Sequence, residues 1–141
     1  MRLWHKDLIP VLPRQQLLGQ WRECCLIAKA LQSGTLNHLL VNPIKKYPIK
    51  HFAKYCELVK REIEKRGYKT NSKLFLTAED KNDPISYDGI FSDWHNPRYF
   101  QQCYFNLQEK YDRGGIPQDE WEKIENVRRL RLWLQKIKNS T

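Results

Sequence analysis

The chain has 141 residues, 40% hydrophobic and 29% charged, which fits one folded domain and excludes wholesale disorder. No apolar run approaches the roughly 18–20 residues of a membrane span. Pro10, Pro13 and Arg14 interrupt the start of the chain, where a secretory signal would need its apolar stretch, so a cytoplasmic protein is expected. The formal net charge is +9, and residues 1–50 hold eight basic residues against two acids. A basic skew confined to one part of a domain predicts a polyanionic partner, nucleic acid first and anionic membrane second.

Four segments read as helices. The first runs from about Pro13 to about Leu31, with Leu17, Trp21, Cys24, Ala28 and Leu31 recurring at helical spacing as its buried stripe. The second runs from Pro48 to Arg66, with Phe52, Tyr55, Cys56, Val59 and Ile63 inward and Gly67 as a stop signal. Lys73 to Thr77 is a candidate for extended backbone, too short to build a sheet. Thr77 to Asn96 is acidic and turn-rich (Asp83-Pro84, Asp88-Gly89, Asn96-Pro97) and predicts a long surface loop. A third helix covers Pro97 to Tyr111, with Phe100, Cys103, Tyr104 and Leu107 inward. The last starts near Pro117 and carries Trp121, Ile124, Val127, Leu130 or Arg131, and Leu134 toward Ile137. Trp94, Trp121 and Trp133 read as core. The expected fold is all-α: a single compact domain over residues 1–141, of about four helices with long loops.

The four cysteines form no C-x-x-C pair, and His5, His38, His51 and His95 show no H-x-x-x-H spacing, so neither a metal nor another cofactor is expected. The phosphate-binding, dinucleotide and serine-hydrolase signatures are missing as well. What remains is chemistry that needs only an amine and a carboxylate. Opposite the stripe of the first helix sit Gln15, Gln16, Gly19, Arg22 and Glu23, sharing a face and its flank through spacings of three and four. Glu23 is the only acid between Asp7 and Glu57. A lone carboxylate on a surface that attracts phosphates repels the ligand. It reads either as a solvent residue neutralised by Arg22, Arg2 or Lys29, or as a catalytic carboxylate held in a DNA groove.

The segment from Arg14 to Glu23, RQQLLGQWRE, resembles the first helix of the phage-type pyrimidine-dimer DNA glycosylases with abasic-site lyase activity. In that family a Gln, a Leu two positions on and an Arg-Glu pair stand at the same places relative to the start. Tyr55 to Tyr68, YCELVKREIEKRGY, is similar to the family's second helix, which also ends in an Arg-Gly-aromatic stop. The similarity covers roughly the first half of the chain, and the opening Arg2-Leu3-Trp4-His5 looks like a separate cellular branch.

The resemblance implies a specific chemistry. Family members use the free N-terminal α-amine as nucleophile on the damaged nucleotide's sugar, form an imine and cleave the strand by β-elimination. An α-amine ordinarily titrates at about 7.7–8.0, which leaves a usable neutral fraction at physiological pH. The Glu aligned with Glu23 assists ring opening and proton transfers. Arg22 and Gln15 would hold phosphates or the kinked strand, and a base would be flipped out of the stack. The phage enzymes expose a Thr after losing the initiator Met, whereas here the bulk of Arg2 normally prevents that removal. Two alternatives stay open: Met1 supplies the amine, displaced by one residue, or the N-terminal chemistry is lost. Lys6 ranks below the terminus as an imine-forming amine.

Other positions carry two readings each. Trp4 and His5 either meet an extruded base or pack the terminus onto the body, and the same face would make Arg2 and Gln16 DNA contacts. Lys45, Lys46 and Lys50 form a phosphate-contacting or a merely solvated loop, with Lys46 the candidate contact. Arg128, Arg129 and Arg131 are a second phosphate clamp or the partners of Glu120, Glu122 and Glu125. The expected protein is a monomeric repair glycosylase and lyase acting on duplex DNA with damaged or abasic nucleotides, with no membrane partner. The alternatives are a non-catalytic DNA- or RNA-binding module on the same scaffold and a basic protein-interaction domain.

Overall fold

Proline, asparagine and glycine punctuate the chain and set where its helices begin and end. The computed structural model describes residues 1–76 and 85–140, and among these four α-helices occur with no strand. Helix α1 (Arg14–Ser33) follows Pro13 and stops at Gly34, whose φ of 70° lets its N–H turn back onto the carbonyls of Ala30 and Leu31. Helix α2 (Ile49–Lys65) follows Pro48. Helix α3 (Pro97–Asp112) is capped by the Asn96 side chain, which accepts the Tyr99 N–H at 2.8 Å. Helix α4 (Gln118–Asn139) follows Pro117 and carries Asp119 and Glu120 at the positive end of its dipole. Short 3₁₀ turns cover Lys6–Val11, Asn42–Lys46 and Tyr87–Gly89.

The expected stripes form the core. Leu17, Trp21, Cys24 and Ala28 of α1 are buried, with Leu31 half-buried, and so are Phe52, Tyr55, Cys56, Val59 and Ile63 of α2 and Phe100, Cys103, Tyr104 and Leu107 of α3. Helix α1 packs on α2, and the 3₁₀ turn over Lys6–Val11 packs on both α2 and α4.

Two expectations are corrected. The stretch from Ile85 to Asn96 is more than a surface loop, because Ile90, Phe91 and His95 lie in the core. Phe91 anchors it: its ring meets those of Tyr47, His51, Tyr55, Trp94 and His95 at centroid distances of 4.9–5.9 Å. That cluster holds Phe91 at φ 48°, an unusual conformation for a bulky residue. Its N–H donates to His51 Nδ1 at 3.0 Å. The turn expected at Asp83-Pro84 lies outside the described residues, as does Thr77; residues 73–76 have no regular structure.

The second correction concerns α4, whose inward stripe ends after Trp121, Ile124 and the half-buried Val127. Leu130, Leu134 and Ile137 stand exposed, and Trp133, read as core, is 58% exposed. The inward position at the next turn belongs to Arg131, which lies 4.0 Å over the Phe100 ring and pairs with Asp7, not with an acid of its own helix. Arg128 sits 4.5 Å over Tyr104, whose hydroxyl donates to Glu125.

Candidate active site

The first six residues have no regular hydrogen-bonding partner strand, yet Leu3, Trp4, His5 and Lys6 are buried. Their backbone groups must therefore be satisfied by side chains. Three helices supply them. From α1, the Glu23 carboxylate accepts the Arg2 N–H at 3.1 Å. Gln20, also on α1 and 1% exposed, donates from Nε2 to the Arg2 carbonyl at 2.8 Å and accepts the Trp4 N–H on Oε1 at 2.7 Å. From α2, the Tyr55 hydroxyl lies 2.6 Å from the Trp4 carbonyl and 2.9 Å from Gln20 Oε1. From α3, the Tyr99 hydroxyl donates to the Leu3 carbonyl at 2.5 Å. Burial raises the pKa of both hydroxyls above the ordinary tyrosine range, which keeps them protonated as donors.

This threading brings the chain terminus to the acid of α1. The Met1 amine nitrogen stands 3.9 Å from Glu23 Oε1. Met1 is 41% exposed, so the amine sits at a surface and not inside the core. Beside it opens a groove of about 450 Å³ whose lining includes Gln15, Gln16, Gly19, Arg22, Glu23 and Lys110. The polar face of α1 expected from spacing is thus one wall of a real concavity, and Lys110 of α3 faces it as a cation that the sequence did not single out. Glu23 is engaged by the Met1 amine, the Arg2 N–H and the Gln20 amide; side chains of Arg2 and Lys29 point elsewhere, over Trp4 and Phe75.

The remaining candidates lie apart from this groove. His5 is buried, its Nε2 at 3.0 Å from the His95 carbonyl and its Nδ1 accepting the Asp7 N–H at 3.1 Å. Both ring nitrogens are used within the protein, so His5 secures the terminus and presents nothing to the groove. Burial holds its pKa down to about 4, against the pull of nearby Asp7, and that of His95 down to about 2. Both rings are therefore neutral at physiological pH. Lys6 is also committed: its Nζ donates to the carbonyls of Tyr87, Asp88 and Ile90 at 2.9, 3.2 and 2.8 Å, and burial lowers its pKa. Lys46 is exposed and lines a different cavity of about 550 Å³ together with Tyr47, Trp94 and Arg98.

The Met1 amine and the Glu23 carboxylate lie within 4 Å of each other, beside a groove that carries Arg22 and Lys110, and the chain segment that builds them can be placed among known proteins. Residues 1–76, more than half of the chain, match the pyrimidine dimer DNA glycosylase family. The chain belongs to this family. No curated protein and no solved structure shows a significant match. The matched region holds the terminus, α1, α2 and all of the groove except Lys110. Family membership gives DNA as the substrate class, in keeping with the cations on both sides of Glu23. Among the described residues no helix is long and apolar enough to cross a membrane.

Sequence reasoning missed Gln20 and the two tyrosine hydroxyls as parts of the site. Gln20 lies between Gly19 and Trp21, and nothing in its spacing separates a buried amide from a solvated one. Tyr55 and Tyr99 are aromatic positions on apolar stripes; their rings are legible as core, their hydroxyl partners are not.

Proposed function

We propose that this protein is a pyrimidine-dimer DNA glycosylase with abasic-site lyase activity, with the Met1 amine as nucleophile and Glu23 as the proton-transfer group. The observation that supports this reading most is the 3.9 Å approach of the terminal nitrogen to Glu23, built by a segment the family match covers. In the first step the neutral amine attacks C1′ of the damaged nucleotide, a C–N bond forms, and the glycosidic bond breaks with its electron pair leaving on the base. Loss of a proton from nitrogen and opening of the sugar ring give an imine, the ring oxygen taking up the proton that Glu23 handles. Loss of a C2′ proton then expels the 3′ phosphate by β-elimination, and hydrolysis of the imine returns the amine. Arg22 and Lys110 at the groove, with Arg2 and Gln15 beside them, are the phosphate contacts, and Gln16 is a contact on the same wall. Lys46 is a phosphate contact outside the groove.

The carboxylate also fits a second role: in the transition state the sugar carries positive charge, and an anion at the amine stabilises it. Met1 holds this position itself, so retention of the initiator residue is compatible with the chemistry. The test is borohydride trapping on a duplex with one abasic site, followed by peptide mapping. A covalent adduct on the N-terminal peptide is expected; tight, salt-dependent binding with no adduct would leave a DNA-binding module instead.

A further inference from the structure

We infer that Gln20 is the positioning residue that sets the register between the Met1 amine and the Glu23 carboxylate. This rests on the imine reading above and deepens it. The amine belongs to the chain terminus and the carboxylate to α1, and no regular structure fixes one against the other. Gln20 touches both partners: Nε2 lies 2.8 Å from the Arg2 carbonyl and 3.4 Å from Glu23 Oε2, while Oε1 takes the Trp4 N–H at 2.7 Å.

The orientation of this amide is forced. A backbone N–H can only donate and a backbone carbonyl can only accept, so Trp4 demands an oxygen on one side and Arg2 a nitrogen on the other. A flipped amide would oppose donor to donor and acceptor to acceptor in a buried space. The Tyr55 hydroxyl stands 2.9 Å from the same oxygen, its single proton shared between that oxygen and the Trp4 carbonyl at 2.6 Å. With the amide locked, one N–H of Gln20 faces the Glu23 oxygen that also accepts the Arg2 N–H at 3.1 Å, and the other carboxylate oxygen is left toward the Met1 amine at 3.9 Å. Gln20 therefore fixes both the chain that carries the nucleophile and the rotation of the carboxylate that serves it. Displacing reacting groups by about 1 Å costs on the order of a hundredfold in rate.

Two variants with different pH behaviour test the role. Gln20→Leu removes donor and acceptor together. Gln20→Glu keeps the shape and can imitate the amide only when its carboxyl is protonated, donating to the Arg2 carbonyl; ionised, it opposes both that carbonyl and Glu23. The charged groups around this pair are the Met1 amine, Arg22 on the same wall of the groove and Lys110 across it. Single-turnover borohydride trapping on abasic duplex is measured for both variants and the wild type across pH, with duplex affinity recorded alongside. Gln20→Leu is expected to trap about tenfold to a hundredfold more slowly at every pH, with duplex affinity unchanged. For Gln20→Glu the rate relative to wild type is expected to fall as pH rises, because the two carboxylates hold one proton between them only at lower pH. A loss of rate due to general loosening would leave that ratio flat, so a flat ratio overturns the inference even if Gln20→Leu fails to fold. Wild-type trapping rates in Gln20→Leu overturn it too. Absence of any N-terminal adduct in the wild type overturns the lyase reading and this inference with it.

Discussion

The two ends of the chain are built on opposite terms. Residues 1–12 contain no α-helix, yet Leu3, Leu8, Ile9 and Leu12 are almost wholly inaccessible, and Trp4, His5 and Lys6 are buried beside them. Residues 130–139 form one regular helix, yet Leu130, Trp133, Leu134 and Ile137 stand in solvent. Helical hydrogen bonds are satisfied locally, so α4 can extend beyond the body it packs on. The start of the chain has no such independence: the buried backbone groups of Leu3 and Trp4 take their partners from α1, α2 and α3. Regularity and burial are separate properties here.

Breaking the terminal site should have the largest effect. Glu23→Gln is expected to lower strand cleavage by about 10²–10⁴-fold, the usual range for a lost proton-transfer group. Duplex affinity should hold or rise, since a negative charge leaves the groove proposed to hold the phosphates. Retention of full cleavage would remove Glu23 from its role.

Core truncation comes next. Leu3→Ala deletes a fully buried side chain and should cost about 2–5 kcal/mol in denaturant unfolding. Acid should act on the same region. His5 and His95 have pKa values held below the ordinary 6.5, to about 4 and about 2, chiefly by burial. The unfolded chain then takes up protons before the folded one does, so stability is complete above about pH 6.5 and declines as the pH falls. The decline continues to about pH 4 for His5 and further for His95, at about 1.4 kcal/mol per pH unit for each ring. Unfolding free energies at pH 7 and pH 5 should differ on this account by on the order of 3 kcal/mol.

Arg22→Ala should reduce the slope of log affinity against log salt by about 1, the signature of one lost phosphate contact, with little change in stability. The smallest effect belongs to the other end: Trp133→Ala should alter stability by no more than about 0.5 kcal/mol, because the ring is mostly solvated already. A large loss there would erase the contrast between the two ends.

Periodicity and proline made the helices legible: all four lie within about two residues of where spacing places them, because stops such as Gly34 and caps such as Asn96 act locally. The polar face holding Gln15, Gln16, Gly19, Arg22 and Glu23 was legible for the same reason. What local pattern could not give is which apolar stripe finds a partner. Leu130 and Leu134 repeat at helical spacing as well as Leu17 and Trp21 do, but both stand exposed among the described residues. Ile90 and Phe91 show the converse: they sit among turn residues, and only contact with Tyr47, His51 and Tyr55 of other segments draws them inward. Gln20 was hidden because its partners are backbone groups 16 and 18 residues away.

The open position of Met1 has a practical side. Converting its nitrogen to an amide, by acetylation or by a fused tag, removes both the charge that faces Glu23 and the lone pair a nucleophile needs. The far end of α4 offers the contrary case, since its last residues, 135 to 139, are exposed and none of them lines the groove beside Glu23. A preparation meant to report on the activity should therefore carry its affinity handle after α4 and leave the first residue bare.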